Sequence, residues 1–423
     1  MSNRIFSIVF AIAVAIVLAA PAALARAGGS PYTRYGIGDL RYVSSGQSLA
    51  LGGTSLAVFS SASAEGVNPA MWGTTSLVRY SFSMMYEGIA SSAGGDESKG
   101  GTTKFSGVAI AIPILTEYGV ALGMGLTPYS NVQYSIITND AFSRSPYAVE
   151  YTGSGGMSQA FAGLSYRPAP GVLVGAKVIY YFGRLRQIAL QNFPDGSSYV
   201  DAQVDRSAGL QGAGVTVGLA TSLPGKLLSL DEGSSLSLGA IFTTASSLTS
   251  DEEQIYHYNT GSSTSRETTL VDRTSFDLPY TVGAGLAFTS GRILAAADVR
   301  FQRWSSSAGS GMILGGLNDN LRISAGVELM PRRDQAATGF QRLAYRAGLF
   351  NNASYYNIGG ESITETGISA GIGIPLFEET RLHISGEFSW RGTTDNGLIR
   401  DRMFRLSFTI SGGEIWFVRP EIE

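Results

Sequence analysis

Cysteine is absent from the 423 residues, and histidine occurs only twice. No disulfide can form, so this chain has to close its fold through hydrogen bonds and packing. The shortage of histidine argues against an enzyme of the usual hydrolytic kinds, which place a His beside a nucleophile. The sequence has no metal-ligand cluster, phosphate-binding loop or dinucleotide fingerprint, and Gly36-Ile37-Gly38 lacks the strand–helix context such a loop needs. No cofactor is expected. Charged residues make up only 15% and the net charge is −3, which gives no basis for binding nucleic acid. Long apolar runs are missing beyond the first 20 residues, and the mean hydropathy of +0.11 is too low for a bundle of membrane helices.

The one apolar run, Ile5 to Ala20, follows Arg4 and precedes Ala23-Leu24-Ala25 and Ala25-Arg26-Ala27. A positive start, a short greasy stretch and small residues at a cleavage site read as a secretory signal peptide over residues 1–27.

Strict alternation dominates the rest. Leu382, Ile384, Gly386, Phe388 and Trp390 share one face, with Arg381, His383, Ser385, Glu387, Ser389 and Arg391 on the other. Phe404, Leu406, Phe408 and Ile410 repeat the pattern against Arg405, Ser407 and Thr409. Successive side chains of a strand point to opposite faces, so each segment has an oily and a wet side. In an exported chain this predicts an all-β fold, a transmembrane antiparallel β-barrel. About fourteen segments are long enough to cross, each needing roughly 9–11 residues. They centre on Tyr80, Val108, Leu122, Leu164, Val178, Val217, Leu238, Ala284, Ala297, Ala325, Ala347, Ala370, Ser385 and Leu406. Closure is required because an unpaired backbone group in hydrocarbon costs several kcal/mol.

The connections alternate too. Long polar ones are expected at 89–103, 131–156, 188–208, 245–276, 302–319, 351–363 and 391–401, the longest carrying Asp251-Glu252-Glu253. Five of the six short ones contain proline, which ends strand pairing. Long loops outside and short turns in the periplasm describe an outer-membrane barrel of a Gram-negative-type envelope. Tyr80, Tyr86, Tyr166, Tyr180-Tyr181-Phe182 and Tyr355-Tyr356 fit interfacial aromatic girdles. Arg300, Arg322, Glu328, Glu365, Arg381 and Glu387 fall on the inward face, where mixed signs predict a lumenal salt-bridge network. His383 joins them as a lumen-lining residue, and His257 falls in a long loop.

Residues 46–72 do not alternate. They contain Gly52-Gly53, Ala57 and then Asn68-Pro69-Ala70, with Ala50, Ala62 and Ala64 between and around them. Asn-Pro is a turn signal. This stretch resembles the start of the FadL-like long-chain fatty-acid transporter family of the outer membrane. Met71-Trp72 departs from the small or apolar pair common there, and the terminal Arg-Pro-Glu-Ile-Glu departs from an aromatic ending. The resemblance implies a fourteen-stranded barrel, residues 77–423, with residues 28–76 folded inside as a plug. Gly52, Gly53, Asn68, Pro69 and Ala70 are then the plug motif. It also implies passive uptake of hydrophobic small molecules such as long-chain fatty acids, and no enzymatic activity.

Apolar cargo needs an exit through the wall, and Gly119, Gly123 and Gly125 in the third strand are the expected gap, since glycine marks bulges and kinks. The pattern assigns no ligand-binding residue. Expected partners are outer-membrane lipids, a hydrophobic ligand and, during biogenesis, the barrel-assembly machinery. The alternative is a FadL-related barrel serving as a scaffold in protein secretion or surface attachment.

Overall fold

The computed structural model describes residues 29–59, 64–140, 147–193, 200–228, 231, 233–259, 264–270, 273–307, 316–332, 334, 337–377 and 379–416. The expected signal peptide and Ala62 lie outside them.

The described strands close into a barrel that we number as 14 antiparallel strands. They are β1 (Val78–Ala93), β2 (Asp96–Leu115), β3 (Val120–Pro128 continued by Ser130–Asp140), β4 (Tyr147–Ala169) and β5 (Val172–Asn192). Next come β6 (Ala202–Pro224), β7 (Ser235–Thr243 and Ser246–Asn259) and β8 (Thr264–Leu270, Thr274–Leu278 and Thr281–Ser290). The last six are β9 (Ile293–Gln302), β10 (Asn320–Leu329), β11 (Ala344–Ile358), β12 (Glu361–Phe377), β13 (Thr380–Arg391) and β14 (Arg400–Glu414). All fourteen expected centres fall within these strands. The seam between β14 and β1 is an unbroken ladder from Arg400↔Ser92 to Glu414↔Val78, so no edge remains there.

The alternation sorts the faces as a membrane demands. Leu321, Ile323 and Val327 of β10 are exposed, while Arg322, Ser324 and Glu328 are buried inside. Phe388, Trp390 and Phe404 face out, and Glu387, Ser389 and Arg391 face in. An Arg or Lys on the outer face at mid-bilayer would cost about 2–4 kcal/mol. Tyr166, Tyr180 and Phe182 are exposed, consistent with a girdle. Tyr181, Tyr355 and Tyr356 correct that expectation, being buried inside the barrel. Parity along β5 turns Tyr181 inward, whereas the register irregularity between Ala353 and Asn357 of β11 lets the consecutive Tyr355 and Tyr356 both lie inside.

Most of the expected long connections are strand as well. β1 and β2 run up to a Gly94-Gly95 turn, and 188–192, 202–208 and 351–358 stay in the ladder. Asp251-Glu252-Glu253 and His257 lie within β7, paired to β6. These segments stay in the ladder without a continuous oily face. Backbone hydrogen bonds need no alternation once both faces meet water.

The core fills the barrel. A helical turn, α1 (Gly46–Ala50), has every residue buried, and Leu49, Leu51, Leu56 and Ala57 are at most 1% exposed. Near the upper end, Phe276, Trp304, Tyr355, Tyr356 and Tyr32 stack in sequence, with neighbouring ring centroids 4.7–6.2 Å apart.

Candidate channel interior and wall opening

The N-terminal segment descends from the upper rim to the lower end of the barrel. At the top, the Tyr32 hydroxyl donates to the Ile399 carbonyl, and Ser30 Oγ donates to Asp401 Oδ2 at 2.5 Å. Asp39 accepts from Arg391 at 2.5 Å and from the Tyr356 hydroxyl at 2.7 Å. Burial alone would raise the Asp39 carboxyl, but Arg391 overrides it and holds the group below its ordinary value. Two residues on, Arg41 forks onto both Glu87 oxygens at 2.8 and 2.9 Å. Glu87 also accepts from Lys104 at 3.1 Å and Arg405 at 2.8 Å, and Arg405 reaches on to Glu365 and Glu387. This is the mixed-sign network expected of the inward charges, with Arg405 and Glu87 at its hub. Glu328 pairs with Arg346 at 2.8 Å, and His383 is buried between Arg346 and Ser411, each at 3.0 Å.

Gly52 and Gly53 end the helical turn in left-handed backbone, φ +72° and +94°. Their N–H groups return to Leu49 and Ser48 carbonyls at 3.0 and 2.8 Å, a reversal that glycine makes without a Cβ penalty. Next, Ser55 and Leu56 N–H groups donate to Asp298 at 2.7 and 2.9 Å. Asn68 starts the short turn Pro69–Thr74: its Oδ1 accepts from Ala70 N–H at 3.1 Å. Its Nδ2 donates to Leu56 at 3.0 Å and to Leu219 of β6 at 3.2 Å. The wall comes so close that a Cβ on Gly218 would lie 2.2 Å from Asn68 Oδ1. Trp72 stacks on Phe161 at 6.1 Å.

The ladder is interrupted in β3, at Tyr129. Below it, β2 and β3 pair from Leu115↔Val120 to Val108↔Leu126. Above it, Ser130–Asp140 pairs with β4 and, on the other side, only with the two-residue strand Asp39–Leu40. Among the described residues, the stretch of β2 above Val108 has β1 as its strand partner and none on the β3 side. Gly155 (φ +108°) and Gly156 (φ +141°) of β4 take positive-φ backbone beside the break while staying in register with β5. A cavity of about 280 Å³ occupies the break, lined by Arg41, Val43 and Met85 on the inner side and by exposed Phe105 and Arg184 on the outer.

Gly119, Gly123 and Gly125 are not the break. The ladder is continuous on both sides of β3 from Ala121 to Leu126. Gly119 serves a turn at φ +60°, Gly123 makes room for the Trp72 ring, and Gly125 makes room for Phe161. The sequence feature at the break is instead Pro128, which has no N–H to offer on the β2 side, where the ladder ends at Leu126; Gly155-Gly156 of β4 lie across from the residues that follow it.

The family described as BamG matches residues 1–423. The chain belongs to the BamG family. Among the curated proteins, none matches the sequence. Solved barrels share the fold of this BamG-family chain at low identity. The Pseudomonas putida toluene transporter TodX is 17% identical, with a TM-score of 0.57, over 89% of this chain and 99% of its own. The Ralstonia pickettii toluene transporter TbuX is 14% identical, with a TM-score of 0.60, over 87% and 98%. A Pseudomonas aeruginosa FadL homologue is 12% identical, with a TM-score of 0.56, over 89% and 99%.

Inside this BamG-family barrel, two further cavities flank the N-terminal segment. One, about 50 Å³, has Arg41, Arg322, Arg391 and Arg405 facing Asp39, Glu365 and Glu387. The other, about 120 Å³, lies toward β4–β9 and has Phe161, Lys177, Tyr181 and Arg300 in its wall. Neither Lys177 nor Arg405 stands out in the sequence as a site. Lys177 is the one charge between Val172 and Phe182 of β5, where both faces are aromatic and aliphatic.

Proposed function

We propose that this protein is an outer-membrane channel for passive passage of hydrophobic small molecules, with residues 28–76 as its plug. The observation that carries the reading is the break in the wall at Tyr129. Its cavity has lumenal and outward-facing lining, and Arg41 and Val43 line both this cavity and the 120 Å³ one behind it. An apolar molecule arriving from the upper end would leave sideways into the bilayer, between β2 and the upper half of β3. Long-chain fatty acids and monoaromatic compounds are the candidate cargo; the solved barrels of this fold include transporters described as carrying toluene.

The test is uptake of labelled fatty acid and toluene by a deletion strain. Uptake should fall on deletion and return with the wild-type gene. It should not return with the double variant Ser106→Cys, Ser130→Cys once a short bis-maleimide bridges the break. The parent chain has no cysteine to interfere. Unchanged uptake of every hydrophobic probe after deletion would overturn the reading.

A second reading, a scaffold in protein secretion or surface attachment, draws support from the buried ion pairs that tie Asp39 and Arg41 to the wall. Purification in mild detergent would then yield a stable multiprotein complex, and deletion would strip surface proteins while leaving small-molecule uptake intact.

A further inference from the structure

The 120 Å³ cavity carries an unbalanced charge. Arg41, Lys177 and Arg300 line it, and no carboxylate does. Arg41 has Glu87 as its counter-ion, and Arg300 has Asp298 at 3.7 Å. Lys177, 6% exposed, has no acidic partner among the described residues. Its ammonium donates to the Gly66 carbonyl and sits 4.7 Å over the Phe161 ring. A single neutral carbonyl and a ring face are meagre company for a buried ammonium, which has three N–H donors.

The rest of the lining suits one kind of visitor. Phe161, Ile179, Tyr181 and Ile241 give an apolar wall, and Gln159 and Thr216 give neutral polar groups. The volume approaches that of an engineered cavity of about 150 Å³ that holds one benzene ring. We propose that this cavity binds a small aromatic carboxylate, its ring against Phe161 and Tyr181 and its carboxylate completing the shell of Lys177. As a cargo site this rests on the channel reading; as a binding site it stands on the cavity alone. It separates this chain from a route built only for neutral hydrocarbons.

The experiment is calorimetric titration of the detergent-solubilised protein with benzoate and with benzamide, its neutral counterpart. Wild type should bind benzoate at least tenfold more tightly. Lys177→Met should lose that preference, and Lys177→Arg should keep part of it, both with unchanged heat-modifiable mobility in gels. Equal binding of the two probes, or no benzoate binding by wild type at millimolar concentration, overturns the proposal without needing any variant to fold. Retained preference in a folded Lys177→Met overturns it too. Toluene flux into proteoliposomes is read in parallel. Flux without benzoate preference sinks only this inference, whereas benzoate binding without any flux sinks only the channel reading.

Discussion

The two sides of the lumen solve the same problem differently. On the side of β1 and β11–β14, every buried charge of the central network meets an opposite one: Glu87 holds Arg41, Lys104 and Arg405, and Arg391 holds Asp39 and Asp401. On the side of β4–β6, the N-terminal segment is held by close packing, Asn68 against Gly218 and Trp72 against Phe161 and Gly123. There Lys177 stands without a carboxylate. The first side is a latch, in which Glu87 is the carboxylate shared by Arg41, Lys104 and Arg405. The second is a packed surface that leaves room beside an unneutralised cation. Buried charge inside a barrel is thus not one thing: in one place it fixes a segment through carboxylates, in another it rests on a carbonyl and a ring face beside a cavity.

The largest loss of stability is expected of Glu87→Ala. It leaves Arg41 and Lys104 without a carboxylate, while Arg405 keeps Glu365 and Glu387; loss of a buried partner costs about 3–5 kcal/mol. The thermal midpoint followed by circular dichroism should drop by several degrees, and a drop no larger than that of a surface variant would refute the latch. Next in size is Gly218→Ala, whose new Cβ would press on Asn68 Oδ1 and the Pro69 ring. A cost of about 1–3 kcal/mol is expected for such overpacking. Gly386→Ala is its control, because that Cβ would meet only Phe404 Cε2 at 3.9 Å. Equal destabilisation of the two would show that close packing does not hold the Asn68 turn.

Lys177→Met should act oppositely to Glu87→Ala. With no acidic partner to strand, its thermal midpoint should stay or rise; a fall matching Glu87→Ala would place Lys177 in a latch of its own. The smallest effect is on pH. Asp39 has a folded pKa held below its ordinary value of 3.8, so its contribution is complete above that value. It is lost as pH falls through the lower folded pKa. The Asp39→Asn variant should therefore lose its deficit relative to wild type only in strongly acid solution. A deficit that vanished near pH 6 would mean that Arg391 does not depress the group.

Much of the architecture was legible because a barrel writes its two solvents into the chain with period two. All fourteen strand centres and the inward charges at Arg300, Arg322 and Glu387 can be read this way, and the turn at Asn68-Pro69 from its residue types alone. The heights of the strands could not, since Asp251–His257 pairs through its backbone without an oily face. The wall opening was misplaced for a related reason. Gly123 and Gly125 look like places where a strand yields, yet their missing side chains admit Trp72 of the N-terminal segment and Phe161 of β4.

Alternation along the chain was enough to determine a closed sheet with a greasy exterior and a polar lumen, because each strand carries its own record of which side meets lipid. Partnerships across the lumen were decided only in three dimensions. Arg41 and Glu87 are 46 residues apart and Asp39 and Arg391 are 352 apart. Whether an inward cation finds a carboxylate, as Arg391 does, or only Gly66 and a ring, as Lys177 does, depends on how the strands bring distant residues face to face. No local pattern encodes that.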